Sequence, residues 1–146
     1  MKRRGNSGVA LLEVIIALTV FMLCVAGIAA LILAAKEISD KARDHYTAAN
    51  IAKNRLERAG IYARPGQLSQ VFLMAVGDSN APVDMSGADA PASSAPFRRT
   101  TTVSWKPGCT NLVMITVTVD IRNRRNLSFS GEKESLTSYL TELDMH

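Results

Sequence analysis

Apolar residues are concentrated in one uninterrupted run near the start of the chain. From Val9 to Ala35 the sequence contains no Lys, Arg, Asp or Pro, and Glu13 is its only charged residue. As an α-helix rising 1.5 Å per residue, the run would be about 40 Å long. The hydrocarbon layer of a bilayer is about 30 Å thick, so this length is enough to cross it. The pattern predicts a membrane-spanning helix over 9–35.

The composition becomes polar after Ala35, but the helical period continues. A stripe of mainly apolar residues recurs at steps of three and four, with polar residues between its members: Ile38, Ala42, His45, Ala49, Ala52, Leu56 and Ala59. This spacing is typical of one face of an amphipathic helix. Gly60 follows the stripe and predicts the end of the helix. One helix from Leu12 to Ala59 would be roughly 72 Å long.

The remainder of the chain contains segments that alternate with period two, which is typical of β-strands. The alternation is clear over 99–106 and 112–121, with a hairpin loop at 107–111 between them. After a basic turn, a short strand is predicted over 127–130. The tail, 135–143, has helical spacing of its apolar residues, but its Thr, Ser and Tyr content favours a strand.

Two other segments carry weaker patterns. Residues 61–74 are mixed and receive no assignment. Residues 77–96 contain three Ala-Pro pairs with Ser and Gly between them, which predicts a surface loop. Asp78, Asp84 and Asp89 lie in this loop, but they lack the dense ligand spacing of a calcium-binding loop, so we expect no metal there.

These elements predict an α+β protein, in which a long N-terminal helix packs on a small antiparallel sheet. Two or three strands alone bury too little surface to be stable, so the helical stripe is the expected cover of the sheet. The expected organisation is a leader over 1–8, a transmembrane and assembly helix over 9–35, its amphipathic continuation over 36–60, and a β-rich domain over 61–146.

The basic residues ahead of the apolar run allow several interpretations. Lys2, Arg3 and Arg4 account for most of the net charge of +4. A secretory signal peptide would have an apolar run about half as long and a small-x-small cleavage site. A single-pass anchor, with its basic end in the cytoplasm, fits the length. It does not explain Glu13, because a carboxylate in a membrane segment costs on the order of 2–3 kcal/mol.

Residues 8–13, GVALLE, resemble the class III signal of type IV prepilins and type II secretion pseudopilins. That signal is a short basic leader ending in Gly, followed by an apolar segment with Glu at its fifth position. Residues 11–18 are similar to the I-type minor pseudopilins and V-type minor pilins. The resemblance implies that a prepilin peptidase cleaves between Gly8 and Val9 and that Val9 becomes N-methylated. Val9 departs from the Phe usual at this position.

The resemblance implies a structural role, a minor pilin subunit that is incorporated in a type IV pilus, or initiates it, by helix packing. Alternatives are a type II secretion minor pseudopilin supporting protein export and a single-pass membrane-anchored binding module. Implied partners are other pilins or pseudopilins, prepilin peptidase and inner-membrane lipid. The implied location is the bacterial inner membrane, with a cytoplasmic N-terminus and a periplasmic C-terminal domain, and then the pilus or pseudopilus.

Motifs that would indicate catalysis or a cofactor are absent from the sequence, so we expect neither an enzyme nor a small-molecule substrate. Cys24 and Cys109 are not expected to form a disulfide, because one lies in the apolar run. His45 is interpreted as a packing residue of the helix, since no partner has metal-ligand spacing. An arginine cluster could bind DNA, but no aromatic residues are interleaved with it, which favours a solvated turn: Arg98, Arg99, Arg122, Arg124 and Arg125.

Glu13 is expected to act in assembly. Cleavage would create a charged amine at Val9, and the carboxylate of one subunit could pair with the amine of its neighbour in a low-dielectric helix bundle. We therefore expect Glu13→Ala to insert into the membrane normally but to be incorporated less into filaments. Co-purification with partner subunits measures this, and unchanged co-assembly of the mutant would contradict it.

Overall fold

The computed structural model describes residues 7–62, 68–109, 112–124, 126–129 and 131–141, without the side chains of residues 7–10 and 68. This part of the chain forms two helices and four strands: α1 (Ser7–Tyr62), α2 (Leu68–Gly77), β1 (Ala81–Val83), β2 (Phe97–Trp105), β3 (Leu112–Ile121) and β4 (Lys133–Thr141). The chain divides into two compact units, Met1–Lys41 and Ala42–His146, which are described separately below.

The described part of the first unit is the N-terminal portion of α1. Its large apolar side chains, from Leu11 to Leu33, are all exposed to the surroundings. Among the described residues, α1 is the one helix long and apolar enough to cross a membrane. The predicted apolar helix is therefore confirmed. None of the described residues covers these side chains, which are compatible with a lipid environment.

The second unit is built on a four-stranded sheet in which every neighbouring pair is antiparallel. The strand order is β1-β2-β3-β4, the same as the chain order. The register of β2 and β3 runs from Phe97 opposite Ile121 to Trp105 opposite Val113. The predicted strand over 112–121 is confirmed with its bounds, and the one over 99–106 is confirmed with its ends shifted by one or two residues. The strand predicted over 135–143 is confirmed and begins two residues earlier, while residues 142 and 143 lie outside the described residues.

One face of the sheet packs on the C-terminal portion of α1 and forms the core. Alternation buries every second residue of β3, with exposures of 5 % or less. On the helix side the buried residues are alanines except for Ile51. The buried core residues of the two layers are Val113, Ile115, Val117, Val119 and Ile121 from β3, Ala48, Ile51, Ala52 and Ala59 from α1, and Phe97, Val83 and Val71 from β2, β1 and α2. The predicted α+β architecture is confirmed.

The buried face of α1 is rotated by about one residue from the predicted stripe. Ala52 and Ala59 are buried as expected, whereas Ile38 is 69 % exposed and Ala42 is also exposed. The face includes Arg55, which the sequence pattern places among the outward polar residues. The predicted stripe alternates steps of three and four residues, which follow the 3.6-residue period of an α-helix only approximately.

Two local features differ from the sequence-based expectation: the end of α1 and the conformation of residues 127–129. Gly60 does not end α1, which continues to Tyr62. Residues 127–129 do not form a strand, because Leu127 has a φ of 55° and donates its N–H to the carbonyl of Asn123. Asn123 in turn donates its N–H to the carbonyl of Ser128, so these hydrogen bonds close a turn.

The segment without assignment contains α2, and the predicted loop over 77–96 contains β1. The helix has apolar residues at 68, 71, 72 and 75, a helical spacing that was available in the sequence. It has no acidic residue in its first turn and no basic residue in its last turn, so the sequence gives little indication of its ends. The three-residue strand β1 includes Pro82, a residue type that normally argues against a strand.

Ile115 tests the importance of the layer contact. It is fully buried at the centre of β3, so Ile115→Ala should lower the free energy of unfolding of the domain by about 2–5 kcal/mol. Thr137→Ala, at an exposed position of β4, should change it by less than about 0.5 kcal/mol. Urea unfolding of the full chain in detergent micelles, followed by the fluorescence of its single tryptophan, measures both; equal effects would contradict this core assignment.

Candidate assembly site

The residues predicted for processing lie at the start of α1. Gly8 and Val9 are in its first turn, and their side chains are outside the described part of the structure. Glu13 lies on the same helix and is exposed. Within the described residues, no ion pair or hydrogen bond to the Glu13 side chain is present.

Thr19 provides a useful comparison with Glu13 in the same apolar segment. The Thr19 hydroxyl donates to the carbonyl oxygen of Ile16 at 2.8 Å, so the helix itself satisfies this polar group. The carboxylate of Glu13 can only accept hydrogen bonds when charged, and a helix interior offers no spare N–H. Glu13 therefore needs a partner from outside its own helix if it is transferred from water into lipid.

The second unit contains a buried ionic cluster centred on Asp78, which is 2 % exposed and follows α2 directly. Its Oδ1 accepts from Arg99 Nη2 at 2.7 Å, and its Oδ2 accepts from Thr101 Oγ1 at 2.7 Å and from Arg55 Nε. The cluster joins α1, the end of α2 and β2. Both oxygens are satisfied, as a buried carboxylate requires.

The surroundings of Asp78 hold it in the charged form. Burial opposes ionisation and by itself would raise the pKa of its carboxyl. Hydrogen bonds from Arg99, Arg55 and Thr101, with the charge of Arg99, outweigh burial, so the pKa of Asp78 lies below its ordinary value. The cluster is thus an ion-paired network at neutral pH.

Arg99 also fastens the turn that follows β1. Its Nη1 donates to the carbonyl oxygen of Gly87 at 2.8 Å. Gly87 has a φ of +82°, and a Cβ added there would lie 3.3 Å from Ile51 Cγ2. A side chain at 87 would therefore be both strained and crowded against α1. Arg99 thus holds the turn at Gly87 against α1, where there is no room for a side chain at position 87.

The three aspartates considered for calcium do not converge. Asp78 is used by the two arginines, and Asp89 is 86 % exposed at 3.5 Å from Arg99. Asp84 accepts hydrogen bonds from the side chain and backbone of Ser86 and from the Ala88 N–H, which hold the pKa of Asp84 below its usual range. No group of three or more His, Cys, Asp or Glu side chains suited to a metal ion occurs in the described part of the chain.

Two ion pairs fasten the N-terminal end of the domain's helix to the sheet. His45, predicted to be a packing residue, is 38 % exposed and donates from Nδ1 to Glu134 Oε1 at 2.7 Å, while its Nε2 lies 3.6 Å from Glu132 Oε2. The neighbouring Asp44 accepts from Arg124 Nη2 at 2.9 Å. These contacts connect α1 with β4 and with the turn before it.

The arginine cluster that was weighed for DNA binding, and interpreted as a solvated turn, is largely occupied by contacts within the domain. Arg99 is buried against Asp78, and Arg98 pairs with Asp120 and lies 4.7 Å above the ring centre of Phe129. Arg122 donates to the carbonyl oxygens of Leu127, Ser93 and Ala95. The expectation that no aromatic accompanies the arginines is wrong, since Phe129 lies between Arg98 and Arg122. Arg125 is outside the described residues.

Both cysteines are free thiols, and each is exposed within its own unit.

Sequence reasoning missed the Asp78 cluster because its members are far apart in the chain and each has an ordinary alternative role. Arg55 fits the polar face of a helix, Arg99 fits a solvated strand end, and Asp78 fits a loop. The one available signal was Arg99 at an inward position of the alternating strand, where an unpaired charge would be costly.

Comparison of the chain with protein-family models, with curated proteins and with solved structures finds no match in any of the three.

Asp78 gives a pH-dependent prediction. Its pKa is lower in the folded than in the unfolded chain, so its contribution to stability is present above the unfolded pKa, near 3.9, and is lost as the pH falls through the folded value. Asp78→Asn should lower the free energy of unfolding by about 3–5 kcal/mol at pH 7, because the buried Arg99 and the partly buried Arg55 lose their shared counter-ion. The difference from wild type should shrink below about pH 4.

Urea unfolding from pH 7 to pH 3, followed by Trp105 fluorescence in detergent micelles, measures this difference. Asp89→Asn is the matched control, because this carboxylate is exposed and at the distance limit from Arg99; its effect should stay below about 1 kcal/mol. A loss in Asp78→Asn that is independent of pH would contradict the assignment.

Proposed function

We propose that this chain is a minor pilin subunit, made as an inner-membrane precursor and incorporated into, or initiating, a type IV pilus. Its action is assembly through helix packing. The proposal includes cleavage by a prepilin peptidase between Gly8 and Val9, N-methylation of Val9, and a periplasmic location for the domain before assembly.

The observation that carries the proposal is Glu13. It is the one charge in an exposed apolar helix segment that spans Val9 to Ala35, and it lies five residues after Gly8. A plain membrane anchor gains nothing from a carboxylate there and bears its insertion cost of about 2–3 kcal/mol. An assembly helix gains a partner-dependent contact, because processing places a new positive amine on every subunit.

The fold supports the proposal in a second way. The helix that bears Glu13 is the same element, α1, whose C-terminal portion packs on the antiparallel sheet. An apolar N-terminal helix together with a helix portion that covers a small antiparallel sheet is the α+β architecture that the resemblance implies.

Glu13 would act as a register device in such a filament. In the low dielectric of a helix bundle, a carboxylate and an amine attract strongly when paired and are each costly when alone. Axial positions that leave Glu13 without the neighbour's amine are therefore disfavoured. The pair selects one stagger between subunits, while apolar packing supplies the bulk of the attraction.

The N-terminus of the mature chain tests the proposal. Co-expression with a prepilin peptidase, followed by mass spectrometry of the intact protein, should give a chain that begins with methylated Val9. Gly8→Ala should abolish cleavage, because the peptidase acts after glycine, whereas the matched control Gly5→Ala should be cleaved as wild type.

A chain that retains residues 1–8 in the presence of active peptidase would overturn the proposal. That result would favour the single-pass membrane-anchored binding module, which needs no processing. Processed chain that co-purifies with secretion subunits instead of pilus subunits would place the protein in a type II secretion pseudopilus.

A further inference from the structure

His45 joins the C-terminal portion of α1 to the segment that leads into β4. Its Nδ1 lies 2.7 Å from Glu134 Oε1, and its Nε2 lies 3.6 Å from Glu132 Oε2. Glu134 belongs to β4, and Glu132 comes directly before that strand. The carbonyl oxygen of Glu132 also accepts from the Ile121 N–H at 2.9 Å. These three side chains, the His45 cluster, thus place one carboxylate at each ring nitrogen.

The contact with Glu134 determines the tautomer of the neutral ring. A charged carboxylate can only accept hydrogen bonds, so the single proton of neutral His45 is on Nδ1. Nε2 then carries a lone pair that faces the carboxylate of Glu132, and two acceptors repel each other. Protonation of Nε2 replaces this repulsion with a positive N–H group 3.6 Å from Glu132 Oε2. The second contact is therefore favourable only when the ring is protonated.

Charged groups on α1 complete the surroundings of His45. Asp44 is adjacent in the chain and accepts from Arg124 Nη2 at 2.9 Å, which offsets its charge. Lys41 comes one helical turn earlier and pairs with Glu37 at 3.9 Å. The two glutamates of the cluster, at 2.7 and 3.6 Å from the ring nitrogens, both attract the protonated ring.

We propose that the His45 cluster is a pH-sensitive contact, which holds α1 to the start of β4 more tightly when His45 is protonated. In an unfolded chain histidine takes up its second ring proton near pH 6.5. Because the folded chain offers that proton a second carboxylate, the added stability is present below this pH and is lost as the pH rises. It is lost again near pH 4, where glutamate carboxyls become neutral.

The His45 cluster and the Asp78 cluster respond to pH in opposite directions. The stability from Asp78 is lost only in acid, because its carboxyl has a lowered pKa, whereas that from His45 is gained as the pH falls below neutral. Arg55, the partner of Asp78, follows His45 by ten residues of α1, or about 15 Å of helix. Between about pH 4.5 and pH 6, both contacts therefore hold this helix portion to the sheet.

Thermal unfolding of the full chain in detergent micelles, at about pH 7.5 and about pH 5.5, tests the proposal. His45→Gln should unfold below wild type, and the gap between their midpoints should be about 2–4 °C larger at the lower pH. The effect is modest because solvent reaches all three side chains. His146→Gln, which removes the other histidine of the chain, is the matched control. A gap for His45→Gln that is equal at both pH values, or no larger than that of the control, overturns the proposal.

Glu132→Gln separates the two contacts of the ring. The amide of glutamine can donate to the Nε2 lone pair, so this variant should be at least as stable as wild type at pH 7.5. It should lose at least about half of the wild-type gain on acidification. The matched control is Glu57→Gln, which removes an exposed carboxylate of α1 that lies 3.8 Å from Lys53 and should keep the wild-type gain. Equal pH dependence of the two variants contradicts the role of Glu132.

Hydrogen exchange measures the same change locally. The Ile121 amide donates to the Glu132 carbonyl, so its protection reports how firmly the segment before β4 is held. Relative to the intrinsic exchange rate at each pH, this protection should rise about two- to fivefold from pH 7.5 to pH 5.5 in wild type. It should stay constant in Glu132→Gln. Constant protection in wild type, or an equal rise in the variant, overturns the proposal and leaves the proposed function untouched.

Discussion

A sheet with one apolar face needs a cover, and in this protein the cover is the C-terminal portion of α1. Five alternate residues of β3 face the helix, which contributes Ala48, Ala52 and Ala59 to the same buried core. Together these residues make up most of the buried apolar core that the structure describes.

The Asp78 cluster gives this contact its specificity. Apolar layers can slide by a turn of helix at little cost, whereas a buried carboxylate between Arg55 and Arg99 fits only one arrangement. Removing Asp78 would leave Arg55 and Arg99 without the buried carboxylate that pairs with both. We interpret the cluster as the contact that fixes the position of α1 on the sheet and on the turn after β1. The contacts of Asp44 with Arg124 and of His45 with Glu134 hold the N-terminal end of the same helix portion more weakly.

The sequence predicted those parts of the fold that depend on local period. The apolar run, the alternation in β2 and β3 and the strand character of β4 are properties of neighbouring residues, and each was confirmed. The rotation of the buried face of α1 could not be predicted from the sequence. It brings Arg55 to its partner Asp78, which lies in a segment without a regular hydrophobic pattern. The strand predicted at Leu127 and the helix end predicted at Gly60 were wrong for a related reason. A leucine with positive φ and a glycine inside a helix both run against local conformational preference.

The residues of the candidate site differ in the same respect, because the sequence identifies some of them and not others. Gly8, Val9 and Glu13 belong to one short sequence motif, so the sequence alone identifies them, and their roles stay predictions. The contacts among Arg98, Arg122 and Phe129 depend on the folded turn and could not be read from the sequence.

The identity of strand order and chain order has a consequence for biogenesis. Each strand pairs with the one made just before it, so the sheet has contacts of short sequence separation and can grow hairpin by hairpin. The helix that covers it is made first. A chain synthesised from its N-terminal end therefore never has to wait for a distant strand, and the last strand to be made, β4, completes the sheet.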